Sequence, residues 1–273
     1  MLADSECDRL ATELLHARDN GIVATLDLQN EAGLDLDSGY RIGRMLHDRL
    51  VARKFRAIGR KIGFTNPGMW AEFNVSQPIW AHMYEQTVQL ADGGKARLDL
   101  DGMVAPRIEA EVVLKLRRTL PAGDPSVHEV AACLEWAAVG FEIVDSHYPN
   151  WRFTATDAVA DFGVHAALVV GTPWQLQACD PVEVLAIVQS LKVSLSCDGK
   201  VISEGEGRNA LGSPLHALAF LHRVLASQSW APPLAAGEII TTGSLASVPY
   251  IHAGELWRAE ITGAPLAAIE LSI

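Results

Sequence analysis

Apolar positions recur at helical spacing in the first fifty residues and at strand spacing through most of the rest. Leu10, Leu14 and Leu15 predict an amphipathic helix over residues 5–18, with Ser5 able to cap its start. Asn20-Gly21 marks a turn. Asp37-Ser38 then precedes a second helix, striped by Tyr40, Ile42, Met45, Leu46 and Leu50 and ending near Arg56. The glycine-bounded run 58–64 reads as a short strand, Asn66-Pro67-Gly68 as a turn, and 69–73 as a short helix. A segment including residues 87–90 lies between the Gln77-Pro78 and Asp92-Gly93-Gly94 breaks. A strand over 106–116 follows, then a helix over 126–136 introduced by Asp124-Pro125, a strand through Glu142, and another over 166–170. Residues 193–197 and 200–203 form a hairpin about a tight Asp198-Gly199 turn. Residues 214–226 predict a strong helix, and 238–242, 256–261 and 265–273 predict strands. Strands dominate the second half without regular β-α alternation, so the expected class is α+β or mixed β.

The strand Pro106-Arg107-Ile108-Glu109-Ala110-Glu111-Val112-Val113-Leu114 separates its two acids onto one face and Ile108, Ala110, Val112 and Leu114 onto the other. Neighbouring carboxylates on an apolar strand repel each other and resist burial. A third acid, Glu142, sits inside the apolar run 136–144. Three carboxylates without Cys or His in the pattern suit a hard divalent ion, Mg²⁺ or Mn²⁺. The spacing alone is equally that of the solvated face of an edge strand, which is the commoner case.

The chain of 273 residues carries a formal net charge of −11. That argues against nucleic acid or anionic membrane as the main partner. The four cysteines are scattered with no Cys-x-x-Cys, which speaks against zinc and fits thiols in a reducing compartment. An acidic start without a signal-like apolar core, and no membrane-length apolar run, lead us to expect a soluble cytoplasmic protein. No phosphate-binding glycine loop and no nucleophile-elbow motif is present.

Other residues carry weaker signals. Lys61, on a glycine-flanked strand, reads either as a surface lysine or as a charge-balancing or proton-moving group. His82 and Glu85 are spaced to meet on one helical turn, or are simply a loop histidine near an acid. Neither Asp145 with His147 nor Asp161 with His165 has a diagnostic spacing. The seven tryptophans are spread along the chain and read as core or pocket walls. The run 237–244 is a strand entering a small-residue loop, able to offer N–H groups and hydroxyls to a carboxylate, or a plain turn.

Taken in order, Gly59-Arg60-Lys61-Ile62-Gly63-Phe64-Thr65, Pro106-Arg107-Ile108-Glu109-Ala110-Glu111 and Phe141-Glu142-Ile143-Val144-Asp145 resemble the 2-keto-4-pentenoate hydratase / 4-oxalocrotonate decarboxylase family of the fumarylacetoacetate hydrolase superfamily. The resemblance continues through Asp157-Ala158-Val159-Ala160-Asp161, Leu211-Gly212-Ser213-Pro214, the run 236–244 and Ala253-Gly254-Glu255, so it covers nearly the whole chain. It implies a mixed β-roll of the fumarylacetoacetate hydrolase C-terminal type: a helical N-terminal region over 1–57 and a catalytic domain over 58–273, together one compact unit. It implies Mg²⁺ or Mn²⁺ on Glu109, Glu111 and Glu142, a chelating 2-oxo acid substrate, Lys61 for proton transfer or for binding a substrate oxygen, and Thr242, Gly243 and Ser244 around the substrate carboxylate. The implied reaction is hydration of a 2-hydroxy-2,4-dienoate in aromatic meta-cleavage catabolism. Decarboxylation is second, and hydrolysis of an acylpyruvate through a His82–Glu85 pair is third. A homo-oligomer is implied, with association with a pathway partner enzyme open to it.

Two departures bear on specificity. Family hydratases tend to carry an acid soon after the Gln-Pro that matches Gln77-Pro78, where this chain has Ile79 and Trp80. They favour Asn-Ala-Ser after the Ala-Asp that matches Ala160-Asp161, where this chain has Phe162-Gly163-Val164-His165. Ile79 and His165 are therefore expected at the substrate, His165 being a new polar contact or else a structural histidine. A bulkier or differently charged substrate, or decarboxylase chemistry, fits a pocket altered in this way.

Overall fold

A computed structural model describes residues 2–25, 34–67, 70, 75 and 77–273. The helix expected over 69–73 lies outside the described residues apart from Trp70. The chain opens with α1 (Asp4–Asn20) and α2 (Leu36–Ala52). Ser5 does not cap α1: the helix starts one residue earlier, behind Ala3, with no side-chain cap. Gly21 closes α1 in the left-handed conformation at φ 58°. Asp35 caps α2, accepting from the Ser38 N–H at 2.9 Å, so that helix begins at Leu36.

The rest is a curled half-barrel of mixed sheet with a second sheet and helices packed on it. The strands are β1 (Ala57–Gly63), β2 (Ile79–Tyr84), β3 (Val88–Leu90), β4 (Lys95–Arg97), β5 (Arg107–Leu116), β6 (Leu134–Val144), β7 (His165–Val170) and β8 (Trp174–Gln175). They continue with β9 (Lys192–Cys197), β10 (Lys200–Glu206), β11 (Ile239–Thr241), β12 (Leu256–Thr262) and β13 (Ile269–Ser272). The larger sheet runs β2-β1-β11-β5-β6-β7-β3, with β8 on β6; the smaller runs β10-β9-β12-β13-β4. The hairpin between β9 and β10 turns at Asp198 and Gly199, both at positive φ (50° and 79°).

The remaining helices are α3 (Val127–Ala131), α4 (Ala155–Ala160), α5 (Pro181–Ser190) and α6 (Pro214–Ser227). The helix expected over 126–136 stops after five residues, although Ser126 and Glu129 form the capping box that starts it. Leu134 and Trp136 are instead drawn into β6, opposite Leu116 and Lys115 of β5. A short apolar run fits either state, and cross-strand pairing decides it. Helix α5 goes unnoticed in the sequence, though Asp180-Pro181 is the signal that starts it: Asp180 accepts from the Val182 N–H at 2.8 Å.

The β-roll has two faces. Ile108, Ala110, Val112 and Leu114 of β5, with Phe141 and Ile143 of β6, face the main core. That core is completed by α3, α5, α6 and the smaller sheet, through residues such as Val188, Leu218, Trp257 and Leu271. The other face is separate from that core. It carries a small apolar floor of Met83, Val113, Ala138, Leu168 and Val170, and beside that floor the acidic residues. A third cluster joins Leu10 and Leu14 of α1 and Ile42 and Leu46 of α2 to Tyr84, Tyr148, Ala160 and Phe162, seating the N-terminal helices against the rim of the roll.

Candidate active site

Strand register brings the carboxylates together. Glu109 and Glu111 share a face of β5, and Glu142 of β6 lies directly opposite Glu109. Ligating atoms of the three lie within 4.8 Å of one another. Glu111 and Glu142 are fully buried, and Glu109 is half-buried beside a cavity of about 130 Å³. Burial pushes the carboxyl of Glu109 up, partly opposed by Lys61. Burial followed by repulsion from Glu142 and Glu109 pushes that of Glu111 well up.

Glu142 differs from its partners. Burial would raise it, but Lys61 and His165 hold it down to about 2. Lys61 Nζ lies 3.1 Å from Glu142 Oε1 and donates to the Gly163 carbonyl at 2.9 Å. Burial lowers the Lys61 ammonium, yet the carboxylates of Glu142, Glu109 and Glu111 outweigh it and keep the group charged. An ammonium has three donors, so one remains for the cavity that Lys61 lines.

His165 reaches this face through a register shift between β6 and β7, which pairs Val144 with His165. Its Nδ1 is 2.9 Å from Glu142 Oε1 and its Nε2 is 2.9 Å from the Thr87 hydroxyl. Burial lowers its pKa, and its two ring nitrogens bridge Glu142 and the Thr87 hydroxyl, which itself donates to the Tyr84 carbonyl at 3.0 Å. His165 therefore sits behind a carboxylate and does not line the cavity.

The loop after β11 supplies the other support. The Gly243 N–H donates to Glu111 Oε2 at 2.7 Å, while Glu111 Oε1 is buried without a hydrogen-bond partner. Gly243 is at φ +93°, and a Cβ there would stand 1.8 Å from Thr65 Oγ1, so only glycine allows this contact. The Thr241 hydroxyl donates to Glu142 Oε2 at 3.2 Å. Thr242, expected beside the substrate, points the other way and donates to the Val112 carbonyl at 2.8 Å; alternation along the strand puts its neighbour Thr241 on the site face. Gly243, Ser244 and Ile79 line the cavity, with Lys61 and Glu109.

Residues 162–164 form a tight turn with all three φ values positive (53°, 63° and 54°), which costs energy at Phe162 and Val164. The turn aims the Gly163 carbonyl at Lys61, and a Cβ on Gly163 would come within 2.8 Å of Lys61 Cδ. The segment that departs from the family pattern thus builds the lysine's socket.

His82 and Glu85 are apart in role and in place. His82 is on strand β2, on the face away from Lys61, stacked on His47 at 4.1 Å. Burial, His47 and Arg60 push it down to about 3, which makes it a poor base. Glu85 is exposed and ion-paired with Arg56. Trp151 lines the cavity as one of the tryptophans expected in core or pocket walls, and Arg107 and Phe153, for which the sequence carried no such signal, line it too.

Comparison with known proteins agrees with this architecture. The profile of the family described as "Fumarylacetoacetate (FAA) hydrolase C-terminal" matches residues 73–270. The chain is 30% identical over 230 residues to a 2-keto-4-pentenoate hydratase of Paraburkholderia phymatum, covering 84% of this chain and 83% of that one. It is 30% identical over 253 residues to a 4-oxalocrotonate decarboxylase of a Pseudomonas species, covering 93% of each. The solved 4-oxalocrotonate decarboxylase of Pseudomonas putida G7, complexed with magnesium and adipate, superposes with a TM-score of 0.88 at 22% identity, covering 100% of this chain and 98% of that one. Fumarylpyruvate hydrolase of Pseudomonas aeruginosa, in complex with Mn²⁺ and pyruvate, superposes at 0.58 with 13% identity, covering 80% of this chain and 89% of that one. Ordered motifs, curled sheet, acidic cluster and relatives agree: the chain belongs to the 2-keto-4-pentenoate hydratase / 4-oxalocrotonate decarboxylase family of the fumarylacetoacetate hydrolase superfamily.

Proposed function

We propose that this protein is a divalent-metal-dependent lyase that adds water to a 2-hydroxy-2,4-dienoate or its 2-oxo-4-enoate tautomer. The observation that carries the reading is the buried triad of Glu109, Glu111 and Glu142 beside a buried, charged Lys61. Three clustered acids against one ammonium leave uncompensated negative charge, and Glu111 Oε1 is an orphaned buried acceptor. Both features fit a hard divalent cation, Mg²⁺ or Mn²⁺, and none of the three residues is a soft ligand. A divalent ion bound there would supply Lewis-acid polarisation of the 2-oxo group.

The chain's own residues do the remainder. Lys61, fixed by Glu142 and Gly163, presents its free N–H to the substrate, where it holds an oxygen or delivers a proton during ketonisation. His165 and Thr241 fix the two oxygens of Glu142, and the Gly243 N–H fixes Glu111, so the acids are oriented before any ligand arrives. Ser244 lies at the cavity wall beside the substrate carboxylate, and Ile79 makes that wall apolar.

Vinylogous decarboxylation is the second reading, supported by the 93% mutual coverage with a 4-oxalocrotonate decarboxylase. Acylpyruvate hydrolysis is disfavoured because its base pair, His82 with Glu85, is not assembled. The test is turnover by the Mg²⁺-loaded protein of 2-hydroxypenta-2,4-dienoate, 4-oxalocrotonate and an acylpyruvate, with products identified by mass. Gain of water is the expected result. Loss of carbon dioxide alone would put decarboxylation first, and cleavage into two acids would overturn the lyase reading.

A further inference from the structure

Arg18 continues the buried stripe of α1. It follows Leu14 and Leu15 at helical spacing, so its side chain leaves the helix on the face packed against the roll. It sits in the last turn, where a cation complements the helix dipole. The guanidinium reaches beyond its own helix. Nη1 donates to the His165 carbonyl at 2.9 Å, and Cζ lies 5.0 Å from the centroid of the Phe162 ring. The adjacent acid, Asp19, pairs with Arg53 instead.

These two contacts fall on either side of the strained turn. Phe162 is its first residue, His165 follows its last, and Gly163 lies between. The backbone there is held by the His165 N–H on the Phe162 carbonyl, and by the Asp145 N–H on the Val164 carbonyl at 2.8 Å. Neither bond involves the Gly163 carbonyl, which faces Lys61. Left-handed residues that carry side chains persist only where their surroundings over-determine them. Arg18 supplies such a constraint from outside the sheet, gripping the ring before Gly163 and the carbonyl after it. Tyr84 meets the same buried ring edge-on at 6.0 Å.

Lys61 depends on that turn. Its two anchors are Glu142 Oε1, on the sheet, and the Gly163 carbonyl, on the turn. If the turn relaxes, the ammonium keeps Glu142 and loses the bond that sets its direction. An ammonium held by one acceptor can swing about it, and the donor presented to the cavity then has no fixed place.

We infer that Arg18 is a positioning residue for Lys61, acting through the 162–164 turn. The N-terminal helical region thus contributes to the site although none of its residues lines the cavity. This rests on the reading of Lys61 as the group that meets the substrate, but the placement of Lys61 can be tested apart from turnover.

The first measurement is acetylation of the metal-free protein by acetic anhydride, followed lysine by lysine through peptide mass. Lys61 is 3% exposed and reacts only when its socket opens. Lys115, ion-paired with Glu135 near the opposite end of β6 from His165, is the internal control. In Arg18→Met, Lys61 should acetylate about tenfold faster, the scale of one charge-assisted hydrogen bond, while Lys115 stays within about twofold. Arg18→Lys keeps the cation and a donor, and should recover roughly half of the protection. The second measurement is turnover by the Mg²⁺-loaded protein of whichever of the three substrates above the wild type converts. In Arg18→Met kcat should fall about tenfold or more with KM within about threefold, since the substrate's other contacts remain. Unchanged acetylation of Lys61 overturns the assignment. So does acceleration of Lys61 and Lys115 together, which is general loosening of the fold. Faster acetylation of Lys61 alone with unchanged kcat upholds the placement by Arg18 and removes Lys61 from the reaction, so the functional reading fails and this one stands. If the wild type converts none of the substrates, the functional reading likewise fails and acetylation alone decides. If Arg18→Met does not fold, Arg18→Gln, which keeps a donor and loses the charge, carries the comparison: a smaller acceleration of Lys61 is expected, and none overturns the assignment.

Discussion

Glu142 is gripped by three side chains, Lys61, His165 and Thr241, and each grip has its own consequence. Glu142→Gln would leave Lys61 buried without its nearest counter-charge, at a cost of about 3 kcal/mol or more in denaturant unfolding of the metal-free protein. Adding Lys61→Met to that variant should restore part of the loss, since the orphaned charge is then gone. His165→Phe should keep the fold and weaken Mg²⁺ or Mn²⁺ binding by roughly 10- to 100-fold in calorimetry, the usual scale for a residue that orients a ligand. Unchanged metal affinity in that variant would remove His165 from the site's support. His147 makes a separate, pH-dependent contribution. Its ring is 2.8 Å from Asp161; burial lowers its pKa, but Asp161 outweighs that and raises it. A raised folded pKa means the pair stabilises fully below the unfolded value of about 6.5 and is lost as pH rises through the folded value. The melting temperature of the wild type should therefore fall as pH rises above about 6.5, and His147→Gln should flatten that slope.

Among the elements, two short turns matter more than the long helices. The loop after β11 works only with glycine at 243, because of its φ of +93° and the Thr65 hydroxyl pressed against it. Gly243→Ala is expected to destabilise by about 1–3 kcal/mol from backbone strain, with more from the clash, and to release the bond to Glu111. Thermal unfolding and metal affinity should drop together. A fall in stability without a fall in affinity would separate the loop from the site. At residues 162–164 the strain is stored by non-glycine residues, and its product is the carbonyl that fixes Lys61. Elsewhere the elements follow their local signals: Asp35 and Ser126 cap where their chemistry allows, and Asp198-Gly199 turns the hairpin.

For the molecule as a whole, the N-terminal helices share a cluster with Tyr84, Tyr148 and Phe162, the last of which adjoins the Lys61 socket. Arg18 of α1 also donates to the His165 carbonyl at 2.9 Å and lies over the Phe162 ring. We propose that helices and roll unfold as one unit. Leu14→Ala, at a fully buried α1 position, should cost about 2–5 kcal/mol and leave a single transition in both far-UV dichroism and tryptophan fluorescence. Two separated transitions would divide the chain near residue 57. Among the described residues no helix is long and apolar enough to cross a membrane.

Much of this was legible in the chain itself. Period-two alternation put Glu109 and Glu111 on one face of β5 and its apolar residues on the other, because side-chain direction along a strand is a local property. The ordered motifs carried the family, and through it the curled fold. Other features were decided only by tertiary contact. The pairing of Glu142 with Glu109, the register shift that turns His165 inward, and the exchange of Thr242 for Thr241 all depend on how separate strands align. The shortening of the 126–136 helix has the same origin, since Leu134 and Trp136 gain more from β5 than from another helical turn. So has the stacking of Arg107 against the rings of Trp151 and Tyr250. Local sequence sets which way a side chain points from its own backbone, and only the folded sheet determines what it then meets.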